Sequence, residues 1–191
     1  MKKEQLTLWL VIMLVFLNAG FRVLNASLHI YNLVPVAALG LFSGAVLSQK
    51  KYAYLVPLAA MLLSDLGIGY FTHLQGFYGI SQIINYSALI LVTFLGTQMK
   101  NRKATTIAGF TISSSLLFFL LSNFGTFLGG YYEYSLNGLI QCFTLAIPFY
   151  KSELATTFFV NSFLGDLCFS GVAFGLLHLL QPQPASVKLP K

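Results

Sequence analysis

Six long apolar runs divide this sequence, and they constrain its fold more than any other feature. A helix needs about 20 mostly apolar residues to cross the roughly 30 Å hydrocarbon core of a bilayer. The runs of about this length are 6–24, 33–49, 53–71, 78–98, 104–128 and 155–180. We therefore predict an all-α polytopic membrane protein, a six-transmembrane-helix bundle in a single domain over 1–181. Residues 182–191 are predicted to form a polar cytoplasmic tail.

Charged residues make up only 8% of the 191 residues, whereas a soluble domain carries about 25%. A soluble chain with so little charge lacks the polar groups to cover its surface, so lipid is the expected solvent. The net charge of +6 does not indicate a nucleic-acid partner, because the basic residues lie in short clusters between apolar runs. No phosphate-binding glycine loop or dinucleotide fingerprint occurs, and we expect no bound cofactor.

The basic residues also predict the orientation of the bundle. Nine of the eleven fall on one side of the predicted spans, and only Arg22 and Lys151 fall on the other. Loops rich in Lys and Arg remain in the cytoplasm. We therefore predict a multi-pass protein of the bacterial inner membrane with both termini in the cytoplasm. The nine residues on the cytoplasmic side are Lys2, Lys3, Lys50, Lys51, Lys100, Arg102, Lys103, Lys188 and Lys191.

Three segments need separate interpretation. The first apolar run follows Lys2 and Lys3 as in a signal peptide, but it is long enough to span and ends without a clear cleavage site, so we expect a retained helix. The second run is short and has Pro35 in its first turn, where a missing N–H is tolerated. A seventh run, 136–149, is too short to span and is predicted to form an extra short helix on the outer side.

Polar side chains lie at or beyond the midplane of every predicted span, on the side opposite most basic residues. Such groups are costly inside a bilayer, and either an outward-facing ligand pocket or interhelical hydrogen bonds explain them. Arg22 and Asp65 can neutralise each other, and either an ion pair that fixes span 1 against span 3 or contact with a ligand explains their positions. Asp166 has no obvious basic partner. The predicted substrate-binding residues are Arg22, Asn32, Asp65, His73, Asn85, Asn123, Tyr131 and Asp166. No catalytic or metal-binding residue is predicted.

Aromatic and small residues add further hypotheses. The aromatic cluster at 124–134 belongs to an interfacial belt or forms a wall for a ring-shaped ligand. The pairs Gly40–Gly44 and Gly171–Gly175 have the four-residue spacing that allows close helix approach, either within the chain or with a partner membrane protein. Cys142 and Cys168 lie in apolar runs and are expected to act as small hydrophobic residues.

Several segments together resemble a known family. The longest is Asn32-Leu-Val-Pro-Val-Ala-Ala-Leu-Gly-Leu-Phe-Ser-Gly-Ala45, followed by Pro57 and Leu63-Ser-Asp-Leu-Gly-Ile-Gly69. The match continues with Ser122-Asn-Phe-Gly125, Gly138-Leu-Ile-Gln-Cys-Phe-Thr-Leu-Ala-Ile-Pro-Phe149 and Gly165-Asp166. These segments cover most of the chain and resemble an uncharacterised family of small bacterial membrane proteins of the DUF6580 type, classed with transport proteins.

That family is in turn similar to the S components of energy-coupling-factor (ECF) vitamin transporters, including solitary cobalamin-uptake S components. The resemblance implies six helices, capture of a vitamin-like molecule near the outer face, and docking on an ECF-type coupling subunit with its ATPases. Cobalamin or a related corrinoid is the specific ligand it suggests. The solitary members use a cysteine near the loop after span 3. This sequence has His73 there, and an imidazole remains able to ligate cobalt.

The predicted function is therefore substrate binding for uptake of a small vitamin-like molecule, without enzymatic activity. Two alternatives remain open. A structural subunit of a larger membrane complex would carry a stripe of small residues and no pocket. An intramembrane enzyme would need clustered catalytic groups on facing helices, and Asp65 and Asp166 are the only carboxylates that the sequence offers within the spans.

Overall fold

The computed structural model describes residues 3–28, 35–146 and 158–180, which form seven helices and no strand. This part of the chain confirms the all-α prediction. The helices are α1 Lys3–Ser27, α2 Val36–Val46, α3 Lys50–Phe71, α4 Ile80–Thr97, α5 Ala104–Leu128, α6 Leu136–Ala146 and α7 Phe158–Leu180. The short helix expected from 136–149 corresponds to α6, and Ile147–Phe149 lie outside the described residues.

Five of these helices, α1, α3, α4, α5 and α7, are long and apolar enough to cross a membrane. Their outward faces carry large apolar side chains, such as Trp9 at 63% and Phe16 at 66% exposure. Contiguous apolar surface of this kind is rare on soluble monomers. The length and composition of the helices therefore support a polytopic membrane protein.

The six-span arrangement is not reproduced in full, because α2 is much shorter than the predicted span 33–49. It has 11 residues, which amounts to about 16 Å at 1.5 Å per residue and covers about half of a hydrocarbon core. Residues 29–34, which include the predicted start of that span, lie outside the described residues. The described residues form five long helices, the short central helix α2 and the short helix α6.

The short helix α2 lies at the centre of the bundle. Every residue from Val36 to Gly44 is buried, and the helix contacts α1, α3, α4, α5 and α7. Phe42 is fully buried and packs edge-to-face on Phe174 of α7, with ring centroids 5.1 Å apart. A helix that is apolar on all sides is stable only when it is surrounded, and α2 obtains that environment from the longer helices.

Glycines allow α2 to lie directly against α4. A Cβ added at Gly44 would collide with the Thr93 carbonyl oxygen, and one added at Gly96 would collide with the Leu41 carbonyl oxygen. The two backbones are therefore in contact at this crossing. By contrast, a Cβ added at Gly171 or Gly175 would meet no other described atom within 4 Å, so among the described helices this pair is not a site of close helix approach.

The described ends of the helices fall into two groups. The basic end contains Lys50, Lys51, Lys100, Arg102 and Lys103, and it joins the ends of α2, α3, α4 and α5. There the Arg102 guanidinium donates to the Ala45 carbonyl at 2.8 Å. The opposite end, which we call the far end, contains the α3–α4 and α5–α6 connections. At the far end, the Cys142 thiol donates to the Asn123 carbonyl at 3.3 Å and fixes α6 against α5.

Candidate functional site

A polar cluster surrounds Asp65 in the half of the bundle towards the far end. The Asp65 side chain is fully buried. Its Oδ1 forms an ion pair with Arg22 of α1 at 2.6 Å, and its Oδ2 accepts hydrogen bonds from Gln82 Nε2 at 2.9 Å and the Tyr86 hydroxyl at 2.8 Å, both on α4. The carboxylate therefore joins three helices, and each of its oxygens has a donor.

Arg22 makes further contacts on α3. Its guanidinium donates to the Met61 carbonyl at 3.3 Å and to the Ser64 hydroxyl, which in turn donates to the same carbonyl at 2.7 Å. The guanidinium side chain is 13% exposed. A buried charge of this kind is tolerated only when it is paired and hydrogen-bonded, and the α3 backbone and Asp65 supply both conditions.

Asn85 and Tyr78 extend the cluster towards the far end. Asn85 Nδ2 donates to the Tyr78 hydroxyl at 3.2 Å, and the second amide atom, Asn85 Oδ1, is buried without a hydrogen-bond partner. Burial raises the pKa of Tyr78, while the hydrogen bond from Asn85 and the charge of Arg22 act in the opposite direction. The phenol is thus neutral and can serve either as donor or as acceptor.

The α3–α4 loop, residues 72–79, closes the cluster from the far end. Gly76 is buried, and a Cβ added there would collide with the Asp65 carbonyl oxygen, so only glycine permits this approach. Gly79, the last loop residue, has φ +67°, a backbone conformation that residues other than glycine rarely adopt. The loop backbone is thereby held directly above the end of α3.

An apolar hollow of about 610 Å³ lies beside the same loop. It is lined by α3 residues between Leu63 and Phe71 and by Phe77 of the loop, and the rings of Tyr70 and Phe71 pack edge-to-face with centroids 4.9 Å apart. Phe77 faces the hollow while its neighbour Tyr78 belongs to the polar cluster. The loop is therefore the partition between an aromatic surface and a set of buried hydrogen-bonding groups.

Asp166 makes a separate set of contacts near the middle of α7. Its Oδ1 accepts the Ala38 backbone N–H at 2.8 Å, and its Oδ2 accepts the Ser115 hydroxyl at 2.5 Å. The carboxylate thus lies at the amino end of α2, where orphan N–H groups and the helix dipole favour negative charge. Asn18 of α1 holds the same end through a 3.0 Å bond to the Pro35 carbonyl.

The structure brings Arg22, Asp65 and Asn85 together, but it places the other predicted residues elsewhere. Asn123 donates to the Phe119 carbonyl of its own helix at 2.8 Å. His73 is exposed on the α3–α4 loop and Tyr131 is exposed after α5. Asn32 lies outside the described residues.

Sequence reasoning missed Gln82, Tyr86 and Tyr78. Gln82 and Tyr86 are four residues apart and so share one face of α4, and an amide within an apolar run is itself a signal. This spacing would have identified the face of α4 that meets Asp65. Tyr78 carried no comparable signal, because a tyrosine at the end of a predicted span is typical of the interfacial aromatic belt.

No group of three or more His, Cys, Asp or Glu side chains arranged for a metal ion occurs among the described residues. The chemistry that the cluster offers is hydrogen bonding: one ion pair, two amides, two phenols and a hydroxyl. It is suited to recognising a small polar molecule or to fixing three helices together.

Comparison with known proteins identifies the family. The model of a family of unknown function, DUF6580, matches residues 2–188, which is nearly the whole chain. Neither the curated proteins nor the solved structures yield a significant match. The chain belongs to the DUF6580 family.

Proposed function

We propose that this protein binds a small molecule in the far half of the bundle and takes part in its uptake across the bacterial inner membrane. In this proposal the basic end faces the cytoplasm, as the positive-inside rule requires, and the Asp65 cluster faces outward. Ionisable groups within membrane spans often mark substrate or ion pathways. The Arg22–Asp65 pair is such a group.

The observation that carries the proposal is the orphan acceptor Asn85 Oδ1. A buried polar atom without a partner costs about 1–3 kcal/mol, and native proteins keep few of them without a reason. This atom lies next to Tyr78, whose loop separates the cluster from the aromatic hollow. A ligand that displaces the loop and donates an N–H or O–H to Asn85 would remove the cost.

The ligand class follows from the two surfaces. The edge-to-face rings of Tyr70 and Phe71 suit a flat ring system, and the cluster behind the loop suits hydrogen-bonding substituents. A vitamin-like molecule combines both features. A corrinoid such as cobalamin is the specific candidate implied by the family resemblance, and His73, exposed on the same loop, would then be the residue offered to its cobalt.

The energy for uptake is also part of the proposal. Since the sequence contains no nucleotide-binding motif, an ion gradient or a partner with its own ATPases has to drive transport. An ECF-type coupling subunit is the partner that the resemblance implies.

Native mass spectrometry of the full-length protein, extracted gently from cells grown in rich medium, tests the proposal. We expect a small molecule bound at a one-to-one ratio. Asn85→Leu removes the acceptor within a similar volume and should abolish the bound mass. Asn123→Leu is the matched control, because that amide is bonded to its own helix, and it should retain the ligand. Wild-type protein without any bound small molecule would contradict the proposal.

A structural subunit of a membrane complex is the second candidate, and one observation favours it. Both oxygens of Asp65 and both oxygens of Asp166 already accept hydrogen bonds from this chain, as expected of groups whose role is to hold helices together. A stoichiometric protein complex without a small molecule, seen in the same mass spectra, would support this candidate.

A further inference from the structure

Two polar layers cross the interface between the antiparallel helices α5 and α7. In the first, Ser115 donates to Asp166 at 2.5 Å. In the second, Thr111 and Ser170 lie four residues nearer the basic end on the same helix faces, and both line one cavity. Residues four apart on a helix have Cβ atoms about 5–6 Å apart. The hydroxyl layer is thus one helical turn from the carboxylate.

The Thr111 and Ser170 hydroxyls are unusual because neither has a hydrogen-bond partner. Both side chains are 1% exposed, and both hydroxyl oxygens are buried and unpaired. In a transmembrane helix a hydroxyl normally bonds to the carbonyl four residues earlier. Two that do not, and that line the same cavity, indicate a polar occupant between them.

The cavity connects this layer to the basic end. Its volume is about 570 Å³, and its lining runs from Arg102 and His178 at the basic end to Leu167, the residue after Asp166. Gly171 and Gly175 keep it open, because neither has a side chain and neither packs on another atom. A water molecule occupies about 30 Å³ in the liquid, so the cavity has room for several, and the two hydroxyls offer polar partners at its inner end.

No cation accompanies Asp166 among the described residues. Its helix α7 carries Cys168, which is exposed, and His178, which is three turns away. The helices α2 and α5, which pack against it, contain no titratable side chain. On α1, Arg22 is bound to Asp65, and Lys3 and Glu4 lie in the first turn of that helix.

We propose that Asp166 is a proton-binding site, loaded from the basic end through the α5–α7 cavity. A hydronium ion in the cavity transfers its proton, through water held by Thr111 and Ser170, to Asp166 Oδ2. The products are a neutral carboxylic acid and water. The Ser115 hydroxyl can bond to Asp166 in both protonation states. It donates to the carboxylate; once Asp166 is protonated, it accepts from the carboxylic acid and donates its own hydrogen to the Thr111 carbonyl four residues earlier. The Ala38 N–H remains on Oδ1 throughout.

This site is independent of the proposed ligand site, because the Asp65 cluster lies on α1, α3 and α4. It would give the protein a group that responds to the proton gradient. An Asp166→Asn variant should therefore retain the small molecule that Asn85→Leu loses, which allows the two proposals to fail separately.

Infrared difference spectroscopy of the full-length protein in lipid bilayers tests the assignment. A step from neutral to acidic pH should produce the C=O band of a protonated carboxylic acid, and the band should shift in D₂O. The band should be absent in Asp166→Asn, whose amide oxygen still accepts the Ala38 N–H, and should persist in Asp65→Asn. Retention of the full band in Asp166→Asn would overturn the proposal, as would a band that disappears in Asp65→Asn alone.

The route is tested by the rate at which that band appears after the pH step. Gly171→Leu fills the cavity and should slow the rate at least tenfold. Gly109→Leu adds the same side chain to α5 at a position that also faces open space but does not line the cavity, and it should leave the rate unchanged. Thr111→Val with Ser170→Ala should slow the rate without removing the band. Equal rates in all of these variants would show that lipid or a partner helix occupies the cavity, and would overturn the route.

Discussion

Removal of the charge on Asp65 should destabilise the protein by about 3–5 kcal/mol, the range measured when one partner of a buried ion pair is lost. The structure shows why Asp65→Asn belongs in this range. The carboxylate accepts from Arg22, Gln82 and Tyr86 through two oxygens, whereas the amide has only one oxygen and presents an NH₂ group to the other donors. Arg22 would also lose the carboxylate with which it forms its ion pair in the described part of the bundle.

Arg22→Met should cost a similar amount, because it leaves the Asp65 carboxylate without its cation. The double variant removes both charges, and its loss of stability should be at least about 2 kcal/mol smaller than the sum of the two single losses. The assay is equilibrium unfolding in mixed micelles, with the free energy of unfolding compared around the double-mutant cycle. Arg22→Met combined with Asp166→Asn is the control, because these residues share no partner and should be additive within about 0.5 kcal/mol. Additive effects for Arg22 and Asp65 would refute the ion-pair account.

Three further predictions concern packing, the second carboxylate and orientation. Gly44→Ala should destabilise the protein by about 1–3 kcal/mol in thermal unfolding, because the added Cβ collides with the α4 backbone. Gly20→Ala is the control: its Cβ meets no atom, and the variant should be more stable by up to about 1 kcal/mol. Equal effects of the two substitutions would exclude close α2–α4 packing. Ser115→Ala removes the donor to a buried carboxylate and should cost about 1–3 kcal/mol in the same assay, so an unchanged stability would argue against this hydrogen bond. Lys103→Cys should react with a membrane-impermeant maleimide only in inside-out vesicles, and Glu133→Cys only in right-side-out vesicles. The reverse labelling pattern would invert the proposed orientation.

The sequence predicted the elements of this structure well where a local energetic cost decided them. The long apolar runs correspond to α1, α3, α4, α5 and α7, because a helix that hides its backbone polar groups is the stable form in lipid. The ion pair between Arg22 and Asp65 was one of the two interpretations that the sequence left open, because each charge alone is costly at that depth. Gln82 and Tyr86 mark one polar face of α4 through their four-residue spacing, but the contact of that face with Asp65 depends on how the helices pack together.

The short length of α2 was not predicted for a related reason. Apolar residues continue from Leu33 to Leu47, so the run alone suggests a longer helix. The helix instead begins at Val36, where Asp166 accepts the Ala38 N–H across 128 positions of sequence. The contact between Asp166 of α7 and the amino end of α2 is tertiary, so the sequence of α2 alone does not predict it. The role of Asp166 at this terminus was missed for the same reason.

The proposed function depends most on recognition of a donor group of the bound molecule by the unpaired Asn85 oxygen. The most direct test is equilibrium binding of the molecule identified by mass spectrometry to the wild-type protein and to Asn85→Leu. Loss of a hydrogen bond to a buried acceptor is worth about 1–3 kcal/mol, so the account predicts an affinity at least about fivefold weaker for the variant. Equal dissociation constants for the two proteins would contradict it.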